Sequence, residues 1–570
     1  MNILGINVSQ HDSGAAIIIN GELIAAAQQE RFDKVKHSGA PPIEAVDYCM
    51  AEAKLEWKDI HYIAIPWWNI DIIEVFMRLK EMKLDNQDIE GIIPELKKFM
   101  DEPFKKKICN GKLKALLYPE LYNIDFLKEK IKGYDIPIKY FDHNKCHAMA
   151  TYIFSGFYQA NILVIDGVGE ISSTGCYTGL DSSKLTLITG ETYKNSLGLF
   201  YQNISSNYLC LGKKSEGKTM GLAPYGEKSE VYTKLKNVLD LEKGKWFKLN
   251  RNNLNKNNLG FSKRIDESPL EDNYANLAWA TQALLEEGVF KILKQNDNHN
   301  IPLCLGGGTF LNSTLNGKIL RSGLVKDVFV YPGASDEGIA VGAALCQNSA
   351  LLYDYSKQKR MTHVYYGPGY TNKDVLKALK EYKDISFEEK NHIEKDVAEL
   401  IAKDNVVGWF QGRMELGPRA LGNRSILSNP ISHDTVDKVN EIKGRESWRP
   451  LAPTILAEKA SEYFEDITKS PFMIMTFMVK KDKINEVPAI VHVDGSSRPQ
   501  TLTKEVNPRF YYLIEAFEKL TNVPIVMNTS FNLVGKPIVM SPKDAIETFL
   551  GSDLDYLAIE DYLVEKVKKK

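Results

Sequence analysis

Residues 3–28, ILGINVSQHDSGAAIIINGELIAAAQ, decide the fold. Ile3 to Val8 is an apolar run of strand length, and Ala15 to Ile19 and Glu22 to Gln28 are two more, parted by Asn20-Gly21. Asn-Gly between apolar runs accepts the positive φ angles of a type I′ turn, so the latter two runs form a β-hairpin that extends the first strand. The loop between strand and hairpin carries His11 and Asp12.

Working outward, strand-like runs return at Ile162 to Ile165, ending in DGVGE, and at Val328 to Tyr331, ending in PGASDEG. Each is followed by glycine and a carboxylate, which places Asp166 and Asp336 at strand ends, where the ligand-binding loops of α/β folds gather. A helix is expected over about Tyr274 to Leu293. After it, IPLCLGGGTFLNSTLNGKIL reads as a short strand, Gly306, Gly307 and Gly308, then a helix with Asn312 and Asn316 on one face. Such glycines let a backbone approach a phosphate or nucleoside, or simply make a tight turn. A strand, a loop and a hairpin is how an actin-like α/β lobe begins. The charged stretch from about Trp67 to Ile131 reads as a helical insertion, and the polar stretch from Asp354 to Pro368 as a boundary. The expected domains are therefore 1–354 and 366–570. The second opens with a helix at Val397 to Lys403 and a strand at Val406 to Phe410. No internal repeat is evident.

A chain of 570 residues exceeds one hydrophobic core and implies two to four domains. Its 72 basic and 74 acidic residues give a net charge of −2, which argues against a nucleic acid or an anionic membrane as partner. The seven cysteines are scattered, with no C-x-x-C pair, and read as reduced thiols of a cytoplasmic protein. No signal peptide or membrane span is expected from the N-terminal pattern.

Two stretches carry chemistry. In FDHNKCHAMA, residues 141–150, His143 and His147 open an Ala-rich helix four residues apart, so both imidazoles leave one face at a spacing that suits a shared metal ion. A hydrogen-bonded histidine pair is the plain alternative. In the second region, FQGRMELGPRALGNRSIL supplies Arg413, Arg419 and Arg424, KGRESWRPLAP supplies Lys443, Arg445 and Arg449, and Arg498, Asn528, Thr529 and Ser530 follow. Guanidiniums, hydroxyls and exposed glycine backbone make a phosphate-binding inventory. Surface salt bridges are the alternative, but arginines flanked by glycine and proline do not form an exposed helix face.

The motifs GRMELGPRALGNRSIL, KGRESWRPLAPTIL, MNTSFNLVGKPIV, HDSGAAIIINGELIAAAQQERF, EGKTMGLAPYG and HNKCHAMATY together resemble the O-carbamoyltransferases of the NodU/CmcH type, in the family's order and over nearly the whole chain. The resemblance implies an actin-like (ASKHA, Kae1-like) two-lobed N-terminal domain followed by a YrdC-like α/β domain. It implies that the C-terminal site converts carbamoyl phosphate and ATP, with Mg(II), into carbamoyl adenylate. Lys443, Arg498 and Ser530 would be catalytic there, with Arg419, Arg449 and Asn528 binding the anions. It implies a metal held by His143, His147, Asp166 and Asp336 at the N-terminal site, where the carbamoyl group passes to a hydroxyl of a small-molecule natural product. The donor set suits iron(II), manganese or zinc, and iron comes from the resemblance alone. His11 matches the acceptor-side base, with Asp12 orienting it. Lys218, Gly306, Gly307, Gly308 and Asn312 are the implied adenylate contacts, although turn and packing roles explain them equally. An internal passage for the labile adenylate is also expected.

Three other readings compete. A threonylcarbamoyl-adenosine tRNA enzyme uses the same modules, but on a nucleic acid that the balanced charge disfavours. Hydrogenase-maturation carbamoyltransferases carry C-x-x-C zinc motifs, which this sequence lacks. A non-catalytic actin-like nucleotide-binding protein would keep the glycine loops but need neither His11 nor the arginines.

Overall fold

The computed structural model describes residues 1–9, 11–67, 124–170, 172–181, 184–209, 211–212, 214–250, 272–296, 300–351, 354–355 and 359–567. Most of the helical insertion expected at about 67–131 lies outside these residues. The chain divides into two compact units. The first comprises Met1–Gln29, Ser38–Leu311 and Ser322–Met361, and the second Glu30–His37, Asn312–Arg321 and Thr362–Lys570.

In the first unit, β1 (Asn2–Asn7) pairs antiparallel with β2 (Gly14–Ile19), and β2 with β3 (Glu22–Gln28). Asn20 has φ 48° and Gly21 φ 83°, the left-handed pair that the type I′ turn requires. β4 (Tyr62–Ile65) and β5 (Ile138–Tyr140) join in parallel beyond β1, giving the order β3-β2-β1-β4-β5. A second sheet is built from β6 (Ala160–Ile165), β7 (Ser172–Leu180), β8 (Lys184–Thr192), β9 (Leu303–Gly306) and β10 (Val328–Val330), in the order β10-β9-β6-β7-β8. Counted from its own first strand, this is the same topology: a strand, an antiparallel hairpin on one side and two parallel strands on the other. The duplication is the actin-like fold. The sequence hides it because what recurs is burial pattern and strand order, not residue identity.

Two helices lie between the sheets. α1 (His143–Ser155) packs on β6 and β9, α2 (Ile339–Ala350) packs on β1, β2 and β4, and the helices pack on each other. Enclosed on all sides, α2 buries every residue from Ile339 to Asn348. A Cβ at Gly342 would stand 2.2 Å from the Cys146 carbonyl oxygen, so glycine there sets how closely α2 approaches the first turn of α1. The long helix expected near Tyr274 spans Asp272–Gln295.

The second unit is built on an eight-stranded mixed sheet. Its strands are β11 (Ile385–Glu389), β12 (Val407–Phe410), β13 (Arg424–Ser428), β14 (Ala452–Leu456), β15 (Gln500–Leu502), β16 (Ile525–Ser530), β17 (Tyr556–Ile559) and β18 (Tyr562–Lys566). The order is β11-β18-β17-β12-β13-β16-β14-β15. Helices α3 (Ile393–Ala402) and α5 (Pro508–Thr521) pack together on this sheet, and α6 (Pro542–Leu550) packs on β12 and β17, while α4 (Asp434–Ile442) leads into Lys443. Phe410 pairs with Arg424 and Ser425 with Ser530, so the loop 411–423 and the end of β16 share one edge of the sheet.

Candidate functional site

In the first unit, local chemistry fixes the start of α1. Asp142 is its N-cap and accepts the Lys145 amide at 2.7 Å, while both oxygens of the buried Glu170 accept the His143 amide at 3.3 Å. His143 and His147 therefore project together. Asp166 follows β6, and Asp336 begins the short turn Asp336–Gly338 after β10. His143 Nε2 lies 3.0 Å from Asp166 Oδ2 and 3.3 Å from Asp336 Oδ1, and His147 Nε2 lies 3.8 and 3.6 Å from the same atoms. The two Nε2 atoms are 3.2 Å apart. All four side chains are buried, and their donor atoms lie within 4.8 Å of one another.

Two imidazoles turned nitrogen to nitrogen between two carboxylates form a mixed N/O donor set that fits a divalent transition ion. Protons can bridge the same atoms. Burial opposes charge on His143, but Asp336 and Asp166 outweigh it and hold the imidazole well above its ordinary value; His147 is raised in the same way. Burial likewise opposes charge on Asp166 and Asp336, yet the histidines hold both carboxyls below the usual range. Cys146, between the two histidines in sequence, does not join the donor cluster, and burial and the neighbouring Cys346 push its thiol well up. The five described cysteines are free and buried.

His11 borders this cluster. Its Nδ1 is 2.9 Å from Asp12 Oδ2 and 3.7 Å from Asp336 Oδ2, and its side chain is 49% exposed. Burial opposes charge on the ring, but Asp12 and Asp336 outweigh it and raise its basicity. Lys214 Nζ reaches the same Asp12 oxygen at 2.9 Å. The sequence points to Lys218, which sits half-buried on the helix Glu216–Leu222. The glycine loop serves the ligands: Gly307 takes φ 90°, and the Gly308 amide donates to Asp166 Oδ1 at 3.0 Å. Gly306 ends β9. Asn312 differs from expectation, grouping with the second unit, where its side chain caps the helix Ser313–Leu320 by accepting the Leu315 amide. Glu337, missed in the sequence, is buried beside Asp336; burial and the nearby Asp12 charge push it up to about 8.

In the second unit the cations crowd. Burial and then the charges of Arg419, Arg445 and Arg449 push Arg498 well down; burial and then Arg445, Arg449 and Lys36 do the same to Lys443. Burial and Arg449 bring Arg445 to about 9, and Arg449 is lowered chiefly by burial. Lys443 Nζ donates to the carbonyl oxygens of Ser530 and Asn532, the latter at 2.9 Å, and lies 3.4 Å from Ser530 Oγ. Asn528 donates to Thr454 Oγ1 at 3.0 Å, while its buried Oδ1 has no hydrogen-bond partner among the described residues. Like charges held this close favour an anion between them. Arg413 and Arg424 do not belong to this group. Arg413 donates to the carbonyls of Tyr366 and Gly367, and Arg424 is fully buried, donates to four carbonyls and stacks 3.7 Å from the Phe410 ring centroid. Their guanidiniums hold the loop together instead of facing a ligand. Lys36, on the Glu30–His37 segment, is a cation that the sequence reading misses.

Residues 2–345 match the family model for the carbamoyltransferase N-terminus, and residues 398–566 match that for the carbamoyltransferase C-terminus. The chain belongs to the carbamoyltransferase family. The nodulation protein NolNO of Sinorhizobium fredii is 35% identical over 98% of this carbamoyltransferase and 80% of its own length. An uncharacterized Synechocystis protein, sll1178, is 34% identical over 99% and 97%. Among solved structures, T. kodakarensis HypF aligns over 63% of this chain and 49% of its own, at 11% identity and a TM-score of 0.35, too distant to bear on the site. This carbamoyltransferase is an O-carbamoyltransferase with a buried His/Asp cluster that can hold a metal. No helix among its described residues is long and apolar enough to cross a membrane.

Proposed function

We propose that the second unit activates a carbamoyl group with ATP and that the first unit transfers it to an alcohol. The crowded cations around Lys443 and Arg498 are the observation that carries this reading, because a buried cluster of mainly positive charge, with Glu446 beside Arg449, favours anionic partners. Carbamoyl phosphate and Mg(II)-bound ATP supply them. Water releases phosphate from carbamoyl phosphate, the resulting carbamate oxygen attacks the α-phosphorus, and pyrophosphate leaves carbamoyl adenylate. Arg419, Arg449 and Arg498 offset charge building on the phosphoryl oxygens, while Lys443 fixes the Ser530–Asn532 backbone and Asn528 and Ser530 offer polar contacts.

At the first unit, His143, His147, Asp166 and Asp336 would hold a divalent ion, iron(II) by family likeness, which supplies Lewis-acid polarisation of the carbamoyl oxygen. Asp12 accepts a hydrogen bond from His11 Nδ1–H, which leaves Nε2 as the base for the acceptor hydroxyl. The hydroxyl oxygen attacks the carbamoyl carbon, its proton goes to His11, and AMP leaves. Gly306, Gly307 and Lys218 stand as adenylate contacts in this reading. The acceptor class in this reading is a small-molecule natural product, as the resemblance implies. To test the first half, pyrophosphate release from ATP is measured with and without carbamoyl phosphate, in the absence of any acceptor. Release that depends on carbamoyl phosphate is expected, and release indifferent to it defeats the reading.

A further inference from the structure

Asn7 ends β1 directly after the apolar run Ile3–Ile6, with a side chain wholly shielded from solvent. A buried carboxamide must find partners for two N–H donors and a carbonyl, and all of those on Asn7 are used. Its Nδ2 donates to the backbone carbonyl of Asp12 at 2.9 Å and to that of Asp336 at 3.1 Å. Its Oδ1 accepts the Ser9 amide at 3.2 Å and the Trp67 indole N–H at 3.1 Å. Trp67 in turn lies on His143, with ring centroids 4.2 Å apart. One side chain thus reaches the backbone of a candidate ligand, the ring covering another, and the loop carrying His11.

The Asp12 partner matters because Asp12 has φ 57°, a left-handed conformation that is uncommon outside glycine, although aspartate adopts it more readily than most residues, and that local hydrogen bonds help to hold. Asn7 helps to hold it through the Asp12 carbonyl and the Ser9 amide. Aliphatic replacement would leave the carbonyls of Asp12 and Asp336, both directed inward, without this donor. We propose that Asn7 is the positioning residue of the metal centre, setting Asp336, the Trp67–His143 contact and the His11–Asp12 loop in one register. This rests on the reading of His143, His147, Asp166 and Asp336 as metal ligands.

The test uses cobalt(II) alone, added to the chelator-treated full chain, with affinity and the visible d–d absorption as readouts. Asn7→Asp has the same shape but cannot donate to either carbonyl, and Trp67→Phe keeps a ring over His143 while removing the indole donor. Asn7→Asp should weaken cobalt binding by ~10–100-fold and shift the d–d bands, as losses of outer-sphere partners do. Trp67→Phe should weaken it by about 2–10-fold. If Asn7→Asp folds and both variants bind within twofold of wild type with unchanged bands, the proposal is wrong. If Asn7→Asp does not fold, Trp67→Phe decides on the same limits. Wild-type protein that binds no cobalt defeats the metal reading and this inference with it, whereas binding by wild type with indifferent variants defeats the inference alone.

Discussion

His143 Nε2 stands 3.0 Å from Asp166 Oδ2, deep enough that neither group meets solvent freely. In metal-free protein that contact is a charge-assisted hydrogen bond, and the proton in it competes with any incoming cation. His147→Ala removes one of four donors and should weaken metal binding by more than the ~10–100-fold typical of losing an outer partner. Metal analysis of purified variant and wild type checks this; equal metal content would strike His147 from the ligand set. Because the protons held by His143 and His147 must leave, metal affinity should also rise from pH 6 to pH 8.

In the proposed function His11 serves transfer and not activation. Its partners are Asp12 and Asp336 in the first unit, far in chemistry from the cations of the second. His11→Asn should leave carbamoyl-phosphate-dependent pyrophosphate release intact and lower carbamoylation of a hydroxyl acceptor by ~10²–10⁴-fold, the usual weight of a general base. Loss of both activities together would refute this division.

Lys443 gives a pH dependence with a definite sign. Burial, reinforced by Arg445 and Arg449, holds its ammonium below the ordinary lysine value, so the folded state binds fewer protons than the unfolded one. The penalty is full below the depressed value and is relieved as pH climbs toward the ~10.4 of a free lysine. Thermal unfolding of wild type against Lys443→Met should therefore move in favour of wild type as pH rises from 6 to 9. Bound pyrophosphate favours the charged form, so its stabilising effect on wild type should shrink over the same range. A difference that stays flat with pH would place Lys443 outside the cluster.

How much of this was legible depends on which physics each residue answers to. The opening hairpin was, because continuous apolar runs of strand length parted by Asn20-Gly21 are local signals. Asp166 and Asp336 were placed at strand ends by the same kind of local pattern, and the family likeness gave them a role. Asn7 was not, since a single polar residue ending an apolar strand is a faint signal whose partners lie up to 329 positions away. Nor was the grouping of Glu30–His37 with the second unit: Arg31 donating to the Gly417 carbonyl and Lys34 pairing with Asp544 are contacts that no periodicity encodes. Nor was the contact of Lys214 with Asp12, which depends on a backbone of φ 55° at Lys214 that no periodicity encodes.

Arg424 tests the distinction between holding the loop and binding the anion. Its guanidinium donates to the carbonyls of Gln411, Asn423, Pro368 and Gly412 at 2.6–3.1 Å and lies over Phe410, with no side chain atom left at the surface. Arg424→Ala strands those carbonyls, and with each unsatisfied buried group costing about 1–3 kcal/mol, the second unit should lose about 3 kcal/mol or more. Arg419, half-buried beside Arg498, is the opposite case. Arg419→Ala should leave unfolding nearly unchanged and sharply reduce pyrophosphate release. Denaturant unfolding and the activation assay, run on both variants, separate the two roles: a stable Arg424→Ala protein that cannot bind carbamoyl phosphate would return Arg424 to the anion site.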